Sequence, residues 1–231
     1  AGAAMVLIVL AIANVQYSSY WQKTYLESRW IMLVQDLSGS MGRPVDETGT
    51  ATLGDVALEG AKAFIDLRRK DDLIGVIAFS NLAQLIAPPS FDKEILRKKI
   101  ELLNRKNDSF IFRELTVGGE PNASYAAWLA VCVFFMFLPE ESQPTYEQIN
   151  DLRSSLTGRS MASLEIPDRL KTIDFGQGMA IVLFTDGRIE ANKSTEDVEK
   201  GLLNFVNVIE LVKKLGINLY LIVVGGDVTS E

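Results

Sequence analysis

Residues 31–40 read Ile31-Met32-Leu33-Val34-Gln35-Asp36-Leu37-Ser38-Gly39-Ser40. The first five residues, 31–35, form a short apolar run that reads as a core strand. It empties into the polar loop Asp36–Thr50, and in open α/β sheets ligands bind beyond the carboxyl ends of the strands. Asp36, Ser38 and Ser40 offer a carboxylate and two hydroxyls at i, i+2 and i+4, and Gly39 lets the loop turn tightly. Such an oxygen-only set suits Mg²⁺, which takes octahedral oxygen ligands and keeps some waters. The plainer reading is an Asx turn with a serine capping the next helix.

Outward from this loop the pattern alternates. Residues 52–68 carry Leu53, Val56, Ala57, Ala61, Phe64, Ile65 and Leu67 at helical spacing, and LIGVIAF (73–79) reads as a buried parallel strand. LAQLIAP (82–88) runs into Pro88-Pro89 and fits an edge strand, and 92–104 reads as an amphipathic helix. MAIVLFTDG (179–187) predicts a second core strand that ends on a second carboxylate, Asp186. Ser194–Leu215 predicts a helix with a Ser194/Asp197 capping box, Lys213 and Lys214 in its last turn and Gly216 as its cap, and 218–226 is the final strand. Alternating strands and helices predict an α/β fold with a doubly wound, mostly parallel, Rossmann-like sheet. If the two strands are neighbours, Asp186 lies at the same sheet edge as Asp36.

Composition narrows the chemistry. The 231 residues contain no His and a single Cys, Cys132. Serine–histidine and cysteine–histidine catalysis, His-ligated metals and multi-thiolate metal sites are all excluded. A bound metal must be a hard cation held by oxygens. With 23 basic against 30 acidic residues the net charge is −7, which argues against nucleic acid as a partner. The basic clusters Arg68-Arg69-Lys70 and Arg97-Lys98-Lys99 read as solvated helix faces.

Two apolar stretches stand apart. The chain opens AGAAMVLIVLAIA, and a helix of that length rises about 20 Å against the roughly 30 Å of a hydrocarbon core. A signal-peptide core, a buried helix, or the latter part of a transmembrane helix all fit. The Tyr- and Trp-rich stretch that follows favours the last, with 1–16 as a membrane helix and 17–30 as an aromatic linker. The second stretch, Ala126–Leu138, reads either as a helix covered on both sides or as one whose Phe134–Phe137 end meets a membrane or an apolar partner. Residues 139–178 are polar, contain a helical segment near Tyr146–Leu156, and read as an insertion between core elements.

IMLVQDLSGSM together with IVLFTDG resembles the von Willebrand factor A domain with its metal-ion-dependent adhesion site, over most of residues 30–226 and with matching element order. The opening segment further resembles bacterial membrane-anchored proteins of the Bat, or aerotolerance, group. The resemblance implies a domain spanning 31–231. It also implies that Asp36, Ser38 and Ser40 contact the metal through oxygen and that Asp186 acts directly or through water. The family's remaining ligand is a Thr near a Gly-Gly pair. Here Gly118-Gly119 is followed by Glu120, and Thr116 lies four residues earlier, so Thr116 or Glu120 takes that role. For the Bat-like group the implied location is the bacterial inner membrane, and the implied partners are a MoxR-type AAA+ ATPase or other membrane-complex subunits.

Such a site binds rather than turns over. Its cation retains uncompensated charge and an exchangeable position that a partner's Asp or Glu can fill. Two alternatives belong to other classes. A structural subunit of a membrane complex would keep a vestigial metal site. A Mg²⁺-dependent phosphatase would use Asp36 as nucleophile, but the haloacid-dehalogenase pattern needs a second Asp where Ser38 stands.

Overall fold

Strand β1 (Trp30–Asp36) sits at the centre of the molecule because every residue after Trp30 in it is buried, which only a sheet covered on both faces permits. The structure, a computed structural model, describes residues 28–107, 109–116, 122–157, 164–187 and 202–225. After β1 come α1 (Leu53–Leu67), β2 (Leu73–Phe79), β3 (Ala83–Ser90), α2 (Lys93–Glu101), α3 (Phe110–Thr116) and α4 (Ala123–Phe137). There follow α5 (Tyr146–Ser155), the single turns α6 (Asp168–Lys171) and α7 (Phe175–Gly178), β4 (Met179–Thr185), α8 (Phe205–Leu215) and β5 (Asn218–Val223).

The five strands lie in the order β3-β2-β1-β4-β5. β1, β2, β4 and β5 are parallel, and β3 is an antiparallel edge strand, where its two prolines remove no ladder bond from a central position. The doubly wound, mostly parallel sheet expected from the alternation of elements is therefore what the chain forms. Successive residues of β1 face opposite sides. Met32 and Val34 join one apolar cluster with α4 and α8, while Ile31 and Leu33 join another with α1 and α2. Because the chain leaves β1 for β2 on one side and returns to β4 on the other, the topological switch lies between β1 and β4.

Local sequence sets the helix ends. Thr52 and Asp55 form a reciprocal capping box at the start of α1, and Asp92 and Asn122 cap α2 and α4. Gly216 closes α8 in the left-handed region, after Lys213 and Lys214 in the last turn, as expected. The start of that helix is a correction. Residues 202–204 are non-helical and α8 begins at Phe205, because the Asn204 side chain accepts from the Val206 amide and the Asn204 amide donates to the Leu156 carbonyl. An Asn that caps a helix ends any helix running into it, so the span from Ser194 is not continuous. The Ser194/Asp197 box itself lies outside the described residues.

Helix α4 is covered on both sides. Ala126, Ala130, Val131, Phe134 and Phe135 are buried to 1% exposure or less, between the sheet and α8. The segment after it packs onto the same core: Leu152, Leu156, Leu164, Leu170, Ile173 and Phe175 all belong to the α4 cluster. The chain is fixed from the first residue of β1. Trp30 already pairs with Leu73 and Met179, and Arg29 makes a double hydrogen bond to Asp72 at 2.6 and 2.5 Å. The expected membrane helix, 1–16, lies outside the described residues, and none of the described helices is long and apolar enough to cross a membrane.

Candidate metal centre

β1 delivers Asp36 to the carboxyl edge of the sheet, and β4 delivers Thr185 and Asp186 to the same edge. Their parallel register pairs Gln35 with Phe184, which brings Asp36 level with Thr185. Asp36 and Asp186, distant in sequence, thus meet at the switch point, as expected if the two strands are neighbours. Asp36 is 2% exposed and Asp186 9%.

The loop after β1 folds back on its own carboxylate. The Ser38 amide donates to Asp36 Oδ1 at 2.8 Å, an Asx-type turn that fixes the direction of the chain. Residues Gly39–Gly42 then form a short 3₁₀ turn that brings Ser40 back over Ser38. The two hydroxyl oxygens stand 3.0 Å apart. On the opposite side the buried Thr185 hydroxyl donates to Asp36 Oδ2 at 2.7 Å and accepts from the Gly187 amide at 3.2 Å. Gly187 has φ 82°, a left-handed conformation that its lack of a Cβ makes accessible, and it is this bend that returns the amide to Thr185.

Burial pushes the Asp36 carboxyl above its ordinary range. The hydrogen bonds from Ser38 and Thr185 pull it back down, and the charge of Asp186 pushes it up again. Two carboxylates held close together in a low-dielectric corner favour any cation that enters between them.

Two arginines frame the loop. Arg43 donates from Nη2 to Asp186 Oδ2 at 2.9 Å and from Nε to the Ser40 carbonyl at 3.1 Å. Arg105 donates to the Ser38 carbonyl at 2.8 Å while its guanidinium lies over the Phe112 ring. Sequence reading missed Thr185, Arg43 and Arg105. Thr185 had a signal, a hydroxyl at the end of a buried strand beside Asp186, but only the strand register reveals that it faces Asp36. Arg43 lies three residues beyond Ser40, inside the loop. Arg105 carries no local sign of its role.

Of the two candidates for the remaining ligand, Thr116 ends α3 with its hydroxyl donated to the Phe112 carbonyl at 2.8 Å. Glu120 lies outside the described residues. Among the described residues no three Cys, Asp or Glu side chains cluster into a metal cage, and the oxygen donors at this edge are the Asp36 and Asp186 carboxylates with the Ser38 and Ser40 hydroxyls. The donor set fits a small hard ion. For metal–oxygen bonds of about 2.1 Å, adjacent ligands of an octahedron stand about 3.0 Å apart, the separation of the Ser38 and Ser40 hydroxyls.

The family model of the von Willebrand factor type A domain matches residues 31–121. No curated relative matches the chain. Among solved structures, an aerotolerance-related membrane protein from Bacteroides fragilis is 19% identical with a TM-score of 0.47, covering 85% of this chain and 68% of that one. BatB from Bacteroides thetaiotaomicron is 16% identical at 0.47, covering 85% and 91%. Manganese-loaded TRAP protein from Plasmodium vivax is 16% identical at 0.47, covering 88% and 59%. These scores are low, and the fold assignment rests on strand order and helix placement instead. Over residues 31–121 the chain is similar to the von Willebrand factor type A family, and its Asp36-x-Ser38-x-Ser40 motif stands at the carboxyl edge of an α/β sheet of that kind.

Proposed function

We propose that this chain is a recognition module that holds Mg²⁺ through Asp36, Ser38, Ser40 and Asp186 and uses it to capture an acidic side chain of a partner protein. The observation that carries this reading is the pair of hydroxyls 3.0 Å apart beside a buried carboxylate. Thr116 or Glu120 supplies the remaining protein ligand. Serine hydroxyls are neutral, so they leave the cation more of its charge than a carboxylate cage would, and that residual charge is what an incoming Asp or Glu satisfies. The chain's own part is to fix the donors. The Ser38 amide and Thr185 hydroxyl lock the Asp36 carboxylate, leaving its other lone pairs for the cation or for a water.

The partner class that the resemblance implies is a MoxR-type ATPase or another membrane-complex subunit, with residues 1–16 as the anchor in a bacterial inner membrane. A phosphotransfer role finds less support, because Asp186, the carboxylate that β4 brings to the same sheet edge as Asp36, is engaged by the Arg43 guanidinium.

Titration calorimetry with Mg²⁺ and with Mn²⁺, followed by capture of the MoxR-type ATPase on immobilised protein, tests the proposal. Asp36→Ala is expected to abolish both metal uptake and metal-dependent capture. Equal capture in EDTA, or unchanged metal affinity in Asp36→Ala, refutes it.

A further inference from the structure

Arg43 is placed by the backbone, not merely attracted to the site. Its carbonyl accepts from the Leu53 amide at 3.0 Å, which ties it to the first turn of α1, and its Nε holds the Ser40 carbonyl. From that anchorage the guanidinium reaches Asp186 Oδ2 at 2.9 Å, pairing a half-exposed cation with a carboxylate whose side chain is 1% exposed. Arg43 thus joins the two loops from which the metal ligands come. It offers a fixed positive charge to one of the groups that a bound cation needs.

We infer that Arg43 is a tethered competitor of the metal, sharing Asp186 with it and lowering the affinity of the site for divalent cations. This rests on the metal reading above and adds a specificity-determining residue to it. A dication held by Asp36, Ser38 and Ser40 and relayed to Asp186 sits close to the guanidinium, so like charges repel and the two cations divide one carboxylate. The site then takes up metal readily only when further negative charge arrives, which is what an acidic partner side chain brings. Metal and partner therefore bind with positive coupling, and Arg43 sets its size.

The test compares wild type, Arg43→Gln, Arg43→Met and Arg43→Lys in the 231-residue chain. Metal affinity is read by calorimetry with Mg²⁺ and by the electron paramagnetic resonance signal of free Mn²⁺, and thermal unfolding is followed in EDTA and in Mg²⁺. Both neutral variants are expected to bind metal about tenfold more tightly than wild type. Arg43→Lys, which keeps the charge, should stay within about threefold of it. In EDTA the neutral variants should melt lower than wild type, since Asp186 loses its guanidinium, and the rise in Tm on adding Mg²⁺ should be larger. Wild type that binds metal while both neutral variants bind equally or more weakly overturns the competitor and leaves the metal reading standing. No metal bound by any of the four proteins overturns both. Metal bound by the neutral variants alone supports the inference in its strongest form.

Discussion

Thr185→Val removes a fully buried hydroxyl that holds Asp36 from the side of β4. Valine matches threonine in shape, so the substitution removes a hydroxyl without opening a cavity. Thr185 is fully buried, and its hydroxyl both donates to Asp36 Oδ2 and accepts from the Gly187 amide. A hydrogen bond to a charged group contributes about 1.5–3 kcal/mol, and the stranded Gly187 amide adds about 1 kcal/mol. The expected loss is therefore about 2.5–4 kcal/mol, a large share of the roughly 5–15 kcal/mol that holds a domain together. Thr185→Ser keeps both hydrogen bonds and loses one buried methyl, which costs about 1 kcal/mol. Urea unfolding should thus rank wild type above serine above valine. Mg²⁺ affinity measured by calorimetry should fall about tenfold or more in Thr185→Val and little in Thr185→Ser, since groups that orient a metal ligand are worth about 10–100-fold in affinity. If Thr185→Val unfolds within about 0.5 kcal/mol of wild type and binds Mg²⁺ unchanged, the hydroxyl does not hold Asp36 and the description of the site is wrong.

Two further expectations concern the framework. Burial alone would raise the Asp72 carboxyl, but the Arg29 guanidinium and the Arg69 amide outweigh it and hold it below its ordinary value of 3.8. A lowered native pKa means that its stabilising contribution is complete above the unfolded value and is lost as pH falls through the native one. Wild type should therefore lose stability more steeply than Asp72→Asn below about pH 4, and parallel acid-unfolding curves would remove Asp72 from the account. Phe134→Ala in α4 should cost about 3–5 kcal/mol in urea unfolding, because Phe134 is fully buried. Met136→Ala, two residues on and 72% exposed, should change stability by less than about 0.5 kcal/mol.

How far the site was legible depends on which interactions are local. Asp36, Ser38 and Ser40 are linked by a loop that turns within four residues, so spacing alone reveals them. Asp186 was legible for a different reason: a buried parallel strand must deliver its last residue to the carboxyl edge, and β4 does. The strand order that makes β1 and β4 neighbours is not written in either strand, and neither is the register that sets Thr185 beside Asp36. Arg43 and Arg105 were hidden more deeply. An arginine in a polar loop carries no pattern, and what each one does depends on a carboxylate or carbonyl supplied by another part of the chain. The early end assigned to α8 failed similarly. The run from Ser194 reads as helix-compatible, but the Asn204 amide is recruited by the Leu156 carbonyl just past α5, a contact that periodicity cannot anticipate.

Helix α4 shows where hydrophobic pattern loses its power to discriminate. A helix apolar on every side has no amphipathic stripe, so sequence cannot distinguish a span, a docking face and a fully covered core element. Tertiary structure decides. The sheet covers one side of α4, α8 packs beside it, and Leu152, Leu156 and Leu170 from the following segment add to the cover. The segment after α4 thus has a packing role, since a helix this apolar cannot face water and a sheet with one helix beside it leaves part of that helix uncovered. Tyr125, Leu129 and Cys132 remain half-buried along one side, and the far end is more open. Met136 is largely exposed, and Phe137, 41% exposed, packs edge-on against Trp30 with ring centroids 6.0 Å apart. Trp30 is the first residue of β1, so this end of α4 lies at the edge of the sheet opposite Asp36. The aromatic pair ties the first residue of β1 to the C-terminal end of α4, and so fixes the end of the helix against the start of the central strand.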